Sequence, residues 1–323
     1  MMTILVVLAV VLVVIVGSQL LKIAELRAAS KGELIYEISE SEGKLHGFMM
    51  FAGFFVFMGF FFWQMWAWYG LKLPVSASAH GVDTDFLADL TYYIITPVFI
   101  LTHAALLWFC FKYSYSSKRK ALFFSHSNKL ELIWTTVPSL ALTVLILMGL
   151  TSWNNIMTPV PDETDHVLLE LTGQQFTWTA RYAGNDKKLG RSHVTLIEGT
   201  NATGVDVTDE NAKDDKLVKG EFHLPVNVPV QFVFRSLDAI HGAFMPHFRS
   251  QMNCVPGLKT QWNMVPTITT EEMKKITGNP DFNYVLMCNK ICGAAHYNMQ
   301  MDIIVESQED YDKWLAEQKT FVE

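Results

Sequence analysis

Cysteine is scarce in this chain of 323 residues: only four are present, and two of them share one short segment near the C-terminus. A small secreted scaffold held by disulfides needs more cysteines, so that class of protein is excluded. Cys110 falls in an apolar segment, and Cys254 lies just before a Val-Pro-Gly turn. Cys110 is predicted to serve packing, and Cys254 is predicted to be a small buried residue.

Basic residues are also few. Lys and Arg number 25 against 32 Asp and Glu, which gives a net charge of −7. A nucleic-acid-binding surface is normally basic, so no nucleic acid is predicted as a partner. The acidic balance is compatible with a basic soluble partner. The chain also lacks a phosphate-binding glycine loop and a serine or cysteine in the setting of a catalytic triad, so nothing indicates hydrolysis.

Hydrophobic sequence is abundant, at 50% of the chain, and it is concentrated in long runs. Four of them are each long enough to cross a lipid bilayer. They predict a transmembrane helix 1 over 1–22, a transmembrane helix 2 over 47–70 and a transmembrane hairpin of helices 3 and 4 over 92–151. The first run has no basic residue before it, so we expect a retained helix rather than a cleaved signal. None of the four shows a strong stripe of small residues for helix dimerisation.

The connections between these runs predict the orientation in the membrane. The segment 71–89 is polar and is predicted to be a connector. The link between helices 3 and 4 is basic, which indicates the cytoplasmic side. Its basic residues are Lys112, Lys118, Arg119, Lys120 and Lys129. The part of the chain that follows the hairpin, 152–323, is therefore expected on the opposite side.

The segment 152–323 is predicted to be an all-β domain. Short runs of β-branched and aromatic residues alternate there with turn residues, which favours a small antiparallel sandwich or barrel. These runs are 167–181, 226–236, 284–287 and 302–305. The acidic stretch 185–220 is predicted to be an exposed loop rather than a cation site. The final segment, 307–318, has the apolar spacing of a helix that closes the domain.

The two remaining cysteines lie in the segment 287–299, which reads Met-Cys-Asn-Lys-Ile-Cys-Gly-Ala-Ala-His-Tyr-Asn-Met. Its metal-binding side chains are Cys288, Cys292, His296 and Met299. Thiolate and thioether sulfur favour copper, and imidazole suits copper or zinc, whereas the carboxylates that hard cations prefer are absent from the loop. Gly293 permits a tight turn that lets these groups converge. Upstream, His241 ends an alternating apolar run, where a strand is expected to end.

Three other interpretations of this loop remain open from the residues alone. A disulfide between the two cysteines would leave Met299 and both histidines without a role. A zinc site with two cysteines and two histidines has no use for the methionine. A copper chaperone with a thioredoxin fold requires a strand–helix–strand context around the cysteines, which the sequence does not show.

The spacing C-x3-C-x3-H-x2-M, with a histidine far upstream, resembles the binuclear copper (CuA) site of cytochrome c oxidase subunit II. The resemblance runs from about Tyr92 to the C-terminus, and it implies a cupredoxin-like copper domain over 152–323. The implied ligands of the two copper ions are Cys288 and Cys292 as bridging thiolates, His241 and Met299 on one copper, and His296 with the Lys290 carbonyl on the other. The family usually has only the hairpin, so the first two apolar runs resemble an addition.

The resemblance implies the electron-entry subunit of a haem–copper terminal oxidase in the bacterial inner membrane, with the copper domain in the periplasm. Electrons would come from a cytochrome c and pass to haem in subunit I, where oxygen is reduced and protons are translocated. A related quinol oxidase subunit II is disfavoured, because such relatives lack the copper ligands. A membrane-anchored copper-delivery protein remains an alternative, and it would take a single cuprous ion.

Glu131 opens the fourth apolar run in the stretch Asn-Lys-Leu-Glu-Leu-Ile-Trp, residues 128–134. The matching glutamate of the family lies at the mouth of a proton channel into subunit I, which implies a role for Glu131 in proton entry. An ionisable side chain at the membrane face can also be a simple interfacial group, so both interpretations stay open.

The run Gly-Gln-Gln-Phe-Thr-Trp, residues 173–178, resembles the family's Gln-Trp-Tyr-Trp run beside the copper site. Trp178 matches the second tryptophan, whereas Phe176 stands where the family's electron-receiving tryptophan is expected. Phenylalanine keeps an aromatic contact surface but lacks the indole N–H. We therefore hypothesise a tethered haem domain or a membrane-bound cytochrome c as donor, in a supercomplex with a quinol-oxidising partner. The alternative stays open that electron transfer needs only a short distance between donor and copper, so that any packed side chain can stand at position 176.

The family's magnesium ligands are also changed. A glutamate between the two cysteines and an aspartate in the upstream histidine region are normal there, and this chain has Lys290 and Asn253 instead. An ammonium group only donates hydrogen bonds and cannot ligate a cation. No magnesium is therefore expected through Lys290 or Asn253.

Overall fold

A computed structural model describes residues 2–31, 39–199 and 201–321. Contacts between residues divide the chain into two compact units. The first unit consists of Met1–Trp63 and Phe99–Ser125. The second consists of Gln64–Val98 and His126–Glu323.

The N-terminal half of the described chain is helical. Its long helices are α1 (Met2–Ser30), α2 (Glu40–Ala67), α3 (Ala79–Lys112) and α4 (Asn128–Met157). Among the described residues, α2, α3 and α4 are the helices with the length and apolar composition to cross a membrane. Helix α1 covers most of the predicted span 1–22, while Met1 lies outside the described residues. Transmembrane helix 1 over 1–22 therefore stays a prediction.

Helix α3 begins well before the apolar run that predicts it. The interpretation of 71–89 as a connector is wrong for its second half, because the helix already starts at Ala79. The Ser78 hydroxyl donates a hydrogen bond to a carbonyl of the β domain at 2.7 Å. Asp85, in the second turn of the helix, accepts from the Arg249 guanidinium at 2.8 Å. Such tertiary contacts outweigh the weak helical preference of a polar segment.

Within the first unit, α2 packs closely on the end of α3 and the residues after it. Gly43 and Gly47 face that side of α2: an added Cβ at Gly47 would lie 3.1 Å from the Phe111 Cα, and one at Gly43 3.1 Å from the Tyr115 Cβ. Small residues at this spacing let backbones approach one another. Gly43 and Gly47 therefore serve packing within this unit. The expectation that the apolar runs carry no strong stripe for helix dimerisation stays a prediction.

The strands of the described residues form two five-stranded sheets. The first sheet contains, in spatial order, β3 (Lys216–Val218), β2 (Thr177–Tyr182), β1 (Val167–Gln174), β5 (Val230–Ser236) and β8 (Thr260–Met264). The second contains β4 (Glu221–Pro225), β10 (Gln300–Glu306), β9 (Tyr284–Cys288), β6 (His241–Met245) and β7 (Ser250–Cys254).

The all-β prediction for this domain is confirmed, but the antiparallel prediction is wrong in part. Strand β1 pairs with β5 in parallel, and β10 pairs with β4 in parallel. Parallel neighbours need a long connection, and here other strands supply it, which local sequence patterns do not reveal. Both sheets contribute to one apolar core, which includes Leu169, Leu171, Phe222, Phe232, Phe234 and Leu286.

Two short helices complete the domain: α5 (Thr270–Thr277) and α6 (Gln308–Glu317). The predicted closing helix is confirmed by α6. Tyr311 is buried, and the Trp314 ring stacks on the His223 ring at 3.9 Å between centroids. The end of the chain thereby contributes aromatic side chains to the core.

A buried charge cluster ties the stretch 185–220 to the first sheet. Arg181 is 1% exposed and donates to the Glu170 carboxylate at 2.9 Å and to the Asp215 carboxylate at 2.7 Å. The same Arg181 also donates to the Gly190 carbonyl at 2.9 Å. The interpretation of 185–220 as a wholly exposed loop is therefore wrong at Asp215, because buried charges have to be paired.

Candidate metal centre

The segment 287–299 is the connection between two antiparallel strands. Strand β9 ends at Cys288 and β10 begins at Gln300, so the loop leaves and re-enters the sheet at neighbouring points. The Cys288 N–H donates to the Met299 carbonyl at 3.0 Å and closes the base of the loop. A cysteine and a methionine far apart along the loop are thereby held side by side.

The loop gathers sulfur and nitrogen atoms around the two cysteines. The Cys288 and Cys292 Sγ atoms lie 3.9 Å apart, and the Cys288 thiol points at the Lys290 carbonyl oxygen at 3.1 Å. On the other side, Cys292 Sγ lies 3.7 Å from His296 Nδ1 and 3.8 Å from Met299 Sδ. Both cysteines and Met299 are buried.

His241 joins this cluster from the neighbouring strand. It is the first residue of β6 rather than the last residue of a strand, so its predicted place at a strand end is wrong. Its ring is fully buried, and Nδ1 lies 3.8 Å from Cys288 Sγ. The potential ligand atoms of His241, Cys288 and Cys292 all lie within 4.8 Å of one another. The structure thus brings together the side chains that the sequence singles out.

Asp238 holds the His241 ring in place. The ring Nε2–H donates to the Asp238 carboxylate at 2.8 Å, and this leaves Nδ1 facing the thiols. The other carboxylate oxygen accepts the Gln175 N–H at 2.7 Å. Burial alone would raise the pKa of Asp238, but the hydrogen bonds from Gln175 and His241 outweigh it, so the pKa is lowered. A carboxylate on the far nitrogen is a common way to orient a metal-binding histidine.

Trp178 and Gly173 form the wall behind His241. The Trp178 indole is buried, and its ring meets the His241 ring edge-on at 6.0 Å between centroids. A Cβ at Gly173 would lie 3.0 Å from the His241 ring and 3.1 Å from the Trp178 ring. Gly173 is therefore the residue that lets both rings approach β1.

Phe176 lies over the metal loop. With Gln175 it forms the two-residue turn between β1 and β2, rather than part of a strand. The Gln175 side-chain amide donates to the Cys292 carbonyl. A Cβ at Gly293 would come within 2.9 Å of the Phe176 ring, and Gly293 has a φ of +153°. The half-buried phenylalanine thus closes the cluster on one side.

The fourth thiol of the domain lies beside the cluster without joining it. Cys254 is buried, as predicted, and lies opposite His241 across the β6–β7 pair. Burial raises its pKa to about 12 and keeps it protonated. Burial and the hydrogen bond with Cys288 also raise the pKa of Cys292, to about 11. A bound metal would have to displace the protons of the cluster thiols.

The structure weighs against the other interpretations of the loop. All four cysteines are free thiols, so no disulfide joins Cys288 to Cys292. The loop connects strands of a β-sandwich and not a strand to a helix, which argues against a thioredoxin fold. Met299 lies in the cluster, where a zinc site would have no use for it.

Lys290, in the loop after β9, and Asn253, in β7, both lie next to Gly242 of β6. Asn253 pairs with Gly242 across β6–β7, while a Cβ at Gly242 would meet the Lys290 side chain at 2.9 Å. Both side chains are exposed. The Lys290 ammonium has no ion pair within 39–199 and 201–321. A cationic group therefore stands where the family resemblance would place a carboxylate.

Glu131 lies in the first turn of α4, far along the chain from the cluster. Its carboxylate lies 2.8 Å from His126 Nδ1 and accepts the Ser127 N–H at 3.2 Å. Ser127 is the N-cap residue of the helix. The glutamate therefore stabilises the start of α4, whatever further role it has.

Sequence analysis assigns no role to three residues that support the cluster: Asp238, Gln175 and Gly173. The spacing Asp-x-x-His just before β6 is a signal for the first of them, because a metal-binding histidine needs a partner for its second nitrogen. The other two act through contacts between distant segments, which local sequence patterns do not reveal.

A largely buried set of two thiols, two imidazoles and a thioether at one end of a β-sandwich is a donor set for a soft metal ion, compatible with copper. Together with the apolar helices, it defines the class of membrane-anchored β-sandwich proteins with a site of this kind.

Comparisons with known proteins give the family. A family model for the transmembrane domain of cytochrome c oxidase subunit II matches residues 66–154. An alternative cytochrome c oxidase subunit 2 of Bradyrhizobium diazoefficiens is 30% identical over 257 residues, which cover 79% of this chain and 85% of the relative. A cytochrome c oxidase subunit 2 of Synechocystis is 24% identical over 272 residues, 77% of each chain. The crystal structure of the periplasmic domain of subunit II of Bradyrhizobium japonicum cytochrome oxidase covers 50% of this chain and 95% of its own, with 21% identity and a TM-score of 0.33.

The chain belongs to the cytochrome c oxidase subunit 2 family. Its homologues are subunits of an oxidoreductase complex, and the apolar helices agree with a membrane protein.

Proposed function

We propose that this chain is the electron-entry subunit of a haem–copper terminal oxidase. In that role it accepts electrons from a cytochrome c donor at a binuclear copper centre and passes them to haem in subunit I. Oxygen is reduced in subunit I, coupled to proton translocation. One observation carries the proposal: six donor groups of the right type converge in one loop and one neighbouring strand, with contacts of 3.1–3.9 Å between them.

In this proposal, the Cys288 and Cys292 thiolates would hold both copper ions, which would supply one-electron transfer when bound. His241 and Met299 would be further ligands of one ion, and His296 with the Lys290 carbonyl would be further ligands of the other. The protein holds these groups in place before any metal binds: Asp238 orients His241, the Gln175 amide fixes the Cys292 carbonyl, and the Phe176 ring covers the loop. A rigid, largely buried site keeps water away and limits movement on reduction.

The proposed arrangement in the membrane has four spans in the bacterial inner membrane. These are helix 1 over 1–22, helix 2 over 47–70 and the hairpin over 92–151, followed by a periplasmic copper domain over 152–323. Helices α2, α3 and α4 have the required length and composition. The basic link between α3 and α4 supports a cytoplasmic position for that end of the hairpin.

Electron paramagnetic resonance of the purified, copper-loaded chain tests the proposal. A mixed-valence pair shares one unpaired electron between two copper nuclei, and its spectrum shows hyperfine splitting from both. A spectrum of a single cupric ion, or a silent protein with one cuprous ion, would indicate a copper-delivery protein instead. A chain that binds no copper would fit a quinol oxidase subunit.

The electron donor is proposed to be a tethered haem domain or a membrane-bound cytochrome c that docks beside Phe176. Free soluble cytochrome c should then reduce the copper-loaded oxidase slowly, with little dependence on salt. Reduction should be slow because position 176 carries a phenylalanine instead of the family's tryptophan. It should depend little on salt because a tethered donor does not rely on long-range attraction between charged surfaces. Stopped-flow reduction at several ionic strengths measures this.

A Phe176→Trp variant is the matched comparison, because it restores the family's aromatic group at the same place. It should speed reduction by soluble cytochrome c without changing the copper spectrum. Fast and strongly salt-dependent reduction of the unchanged protein would instead show ordinary electrostatic docking and end the tethered-donor proposal.

Glu131 is proposed to take part in proton entry to subunit I. Glu131→Ala should slow oxygen reduction by the whole oxidase several-fold while leaving the copper spectrum intact, because the residue lies far along the chain from the copper loop. Glu131→Gln separates this role from helix capping, since the amide oxygen still accepts the Ser127 N–H that the carboxylate accepts at 3.2 Å. Normal turnover in Glu131→Gln, measured as oxygen uptake, would leave only the capping role.

Magnesium is proposed to be absent from the neighbourhood of Lys290 and Asn253. Protein produced in manganese-rich medium should show no bound Mn²⁺ signal by electron paramagnetic resonance, because an ammonium group replaces a carboxylate ligand. Lys290→Glu restores the carboxylate and should gain the signal. A bound Mn²⁺ in the unchanged oxidase that disappears in Asn253→Ala would contradict this prediction.

A further inference from the structure

A second site of a different kind lies behind the loop that leads to His241. A cavity of about 320 Å³ opens there between the segment that follows Ser192, the end of strand β5 and the turn before β8. Its charged and polar lining includes Arg235, Lys259 and His193. Among the described residues, no Asp or Glu lines it. The charged side chains of its lining are therefore cationic.

Arg235 lines this cavity, and its side chain is only 12% exposed. Its Nη1 donates to the Glu170 carboxylate at 3.2 Å and to the Thr203 carbonyl at 3.5 Å. That same Glu170 oxygen also accepts two bonds from Arg181, so two guanidinium groups share it. Within 39–199 and 201–321, the Nε and Nη2 groups of Arg235 have no hydrogen-bond partner. A nearly buried guanidinium with an unused edge has the geometry that binds carboxylate or phosphate through paired bonds.

Two further polar groups line the cavity. The Lys259 ammonium has no ion pair in the described part of the chain. The Nδ1 atom of His193 lies 3.3 Å from the Thr195 backbone nitrogen and 2.8 Å from the Thr195 hydroxyl. The other ring nitrogen, Nε2, has no hydrogen-bond partner in the described ranges. The remaining wall is apolar and includes Val194, Ile197 and Leu258.

We propose that this cavity, the Arg235 pocket, binds a small organic anion through its carboxylate or phosphate group. The charged end would meet the unused edge of Arg235 and the Lys259 ammonium. The apolar part of the ligand would lie against the aliphatic wall. The volume exceeds that of a phosphate ion, so a phosphomonoester or a di- or tricarboxylate fits better.

The pocket lies close to the metal cluster along the chain. Its wall residues Arg235–Leu237 are followed directly by Asp238, the residue that orients His241. The Leu237 N–H donates to the Gly173 carbonyl at 3.1 Å, and Gly173 packs against the His241 ring. A ligand in the pocket would therefore contact the same loop that holds the histidine. The binding itself does not depend on the proposed copper centre.

Isothermal titration of the full chain in detergent tests the proposal, with citrate and inorganic phosphate as probes in a chloride buffer. Lys259→Gln should weaken binding about tenfold, which is the loss of one charge-assisted hydrogen bond. Arg235→Lys should weaken it by a similar factor, because lysine keeps the charge next to Glu170 but loses the fork geometry. The tighter of the two probes identifies the preferred group as carboxylate or phosphate.

Lys219→Gln is the matched control, since it removes one exposed lysine of the same domain that lies outside the pocket. It should bind both probes as the unchanged chain does. Unchanged thermal midpoints in Lys259→Gln and Arg235→Lys would show that both variants are folded. Absence of binding, or binding that is equal in all three variants, would overturn the proposal.

Discussion

Changing Cys292 to serine should abolish the paired-copper signal of the loaded chain. Cys292 contacts three other groups of the cluster: its Sγ lies 3.9 Å from Cys288 Sγ, 3.7 Å from His296 Nδ1 and 3.8 Å from Met299 Sδ. A serine hydroxyl is a harder and far less acidic donor, so it cannot replace a bridging thiolate. Copper content and the paramagnetic spectrum after reconstitution measure the loss, and Cys288→Ser should behave alike.

Met299→Leu provides the contrast within the same loop. A thioether is a weak ligand that adjusts the potential of a copper site rather than holding the metal. Leucine fills a similar buried volume, so the loop should keep its fold. This variant should retain both copper ions and change only the reduction potential. Loss of all copper in Met299→Leu, together with an intact signal in Cys292→Ser, would contradict the proposed ligand roles.

The sequence predicts which side chains meet at this site because the residue types are rare and their spacing is short. Cys288, Cys292, His296 and Met299 all lie in one connection between paired strands, so local geometry is enough to bring them together. Asp238 could not be singled out with the same ease. Its importance depends on where the loop before β6 folds, and aspartate in a loop has many ordinary roles.

The fold shows the same limit. Helices α2 and α4 and the closing helix follow from apolar runs and periodicity, which are local properties. The parallel pairs β1–β5 and β10–β4 do not, because they join strands that are distant in sequence. The early start of α3 likewise depends on the contact between Asp85 and Arg249, which are far apart along the chain. Sequence patterns report local preference, and long-range pairing decides the rest.

The prediction with the largest effect on stability concerns Arg181, the buried arginine of the β-sandwich. It pairs with Glu170 across the β1–β2 ladder and with Asp215 just before β3. Arg181→Met keeps much of the side-chain volume but leaves the buried Asp215 carboxylate without a counter-charge, while Glu170 keeps only its contact with Arg235. Breaking a buried pair in this way costs about 3–5 kcal/mol. Thermal unfolding of the full chain in detergent, followed by tryptophan fluorescence, should therefore show a large fall in the midpoint.

Arg191→Met is the matched control, because Arg191 is 75% exposed and pairs with Asp206 and Asp209 on the surface. Such exposed pairs contribute at most about 1 kcal/mol, so its midpoint should hardly move. A similar fall in both variants would show that the burial of Arg181 does not matter.

Acid should partly rescue the Arg181→Met variant. Burial raises the pKa of Asp215 to about 6 even beside Arg181, whose positive charge lowers it. Without the arginine, the folded-state pKa should rise further above the unfolded value. A carboxyl group of this kind stabilises the fold below its unfolded pKa, and that stability is lost as pH rises through the folded pKa. The deficit of Arg181→Met should therefore shrink from pH 8 towards pH 5, and Asp215→Asn in the same background should remove most of this pH dependence. A deficit that stays constant across this range would mean that lost packing, rather than buried charge, destabilises the variant.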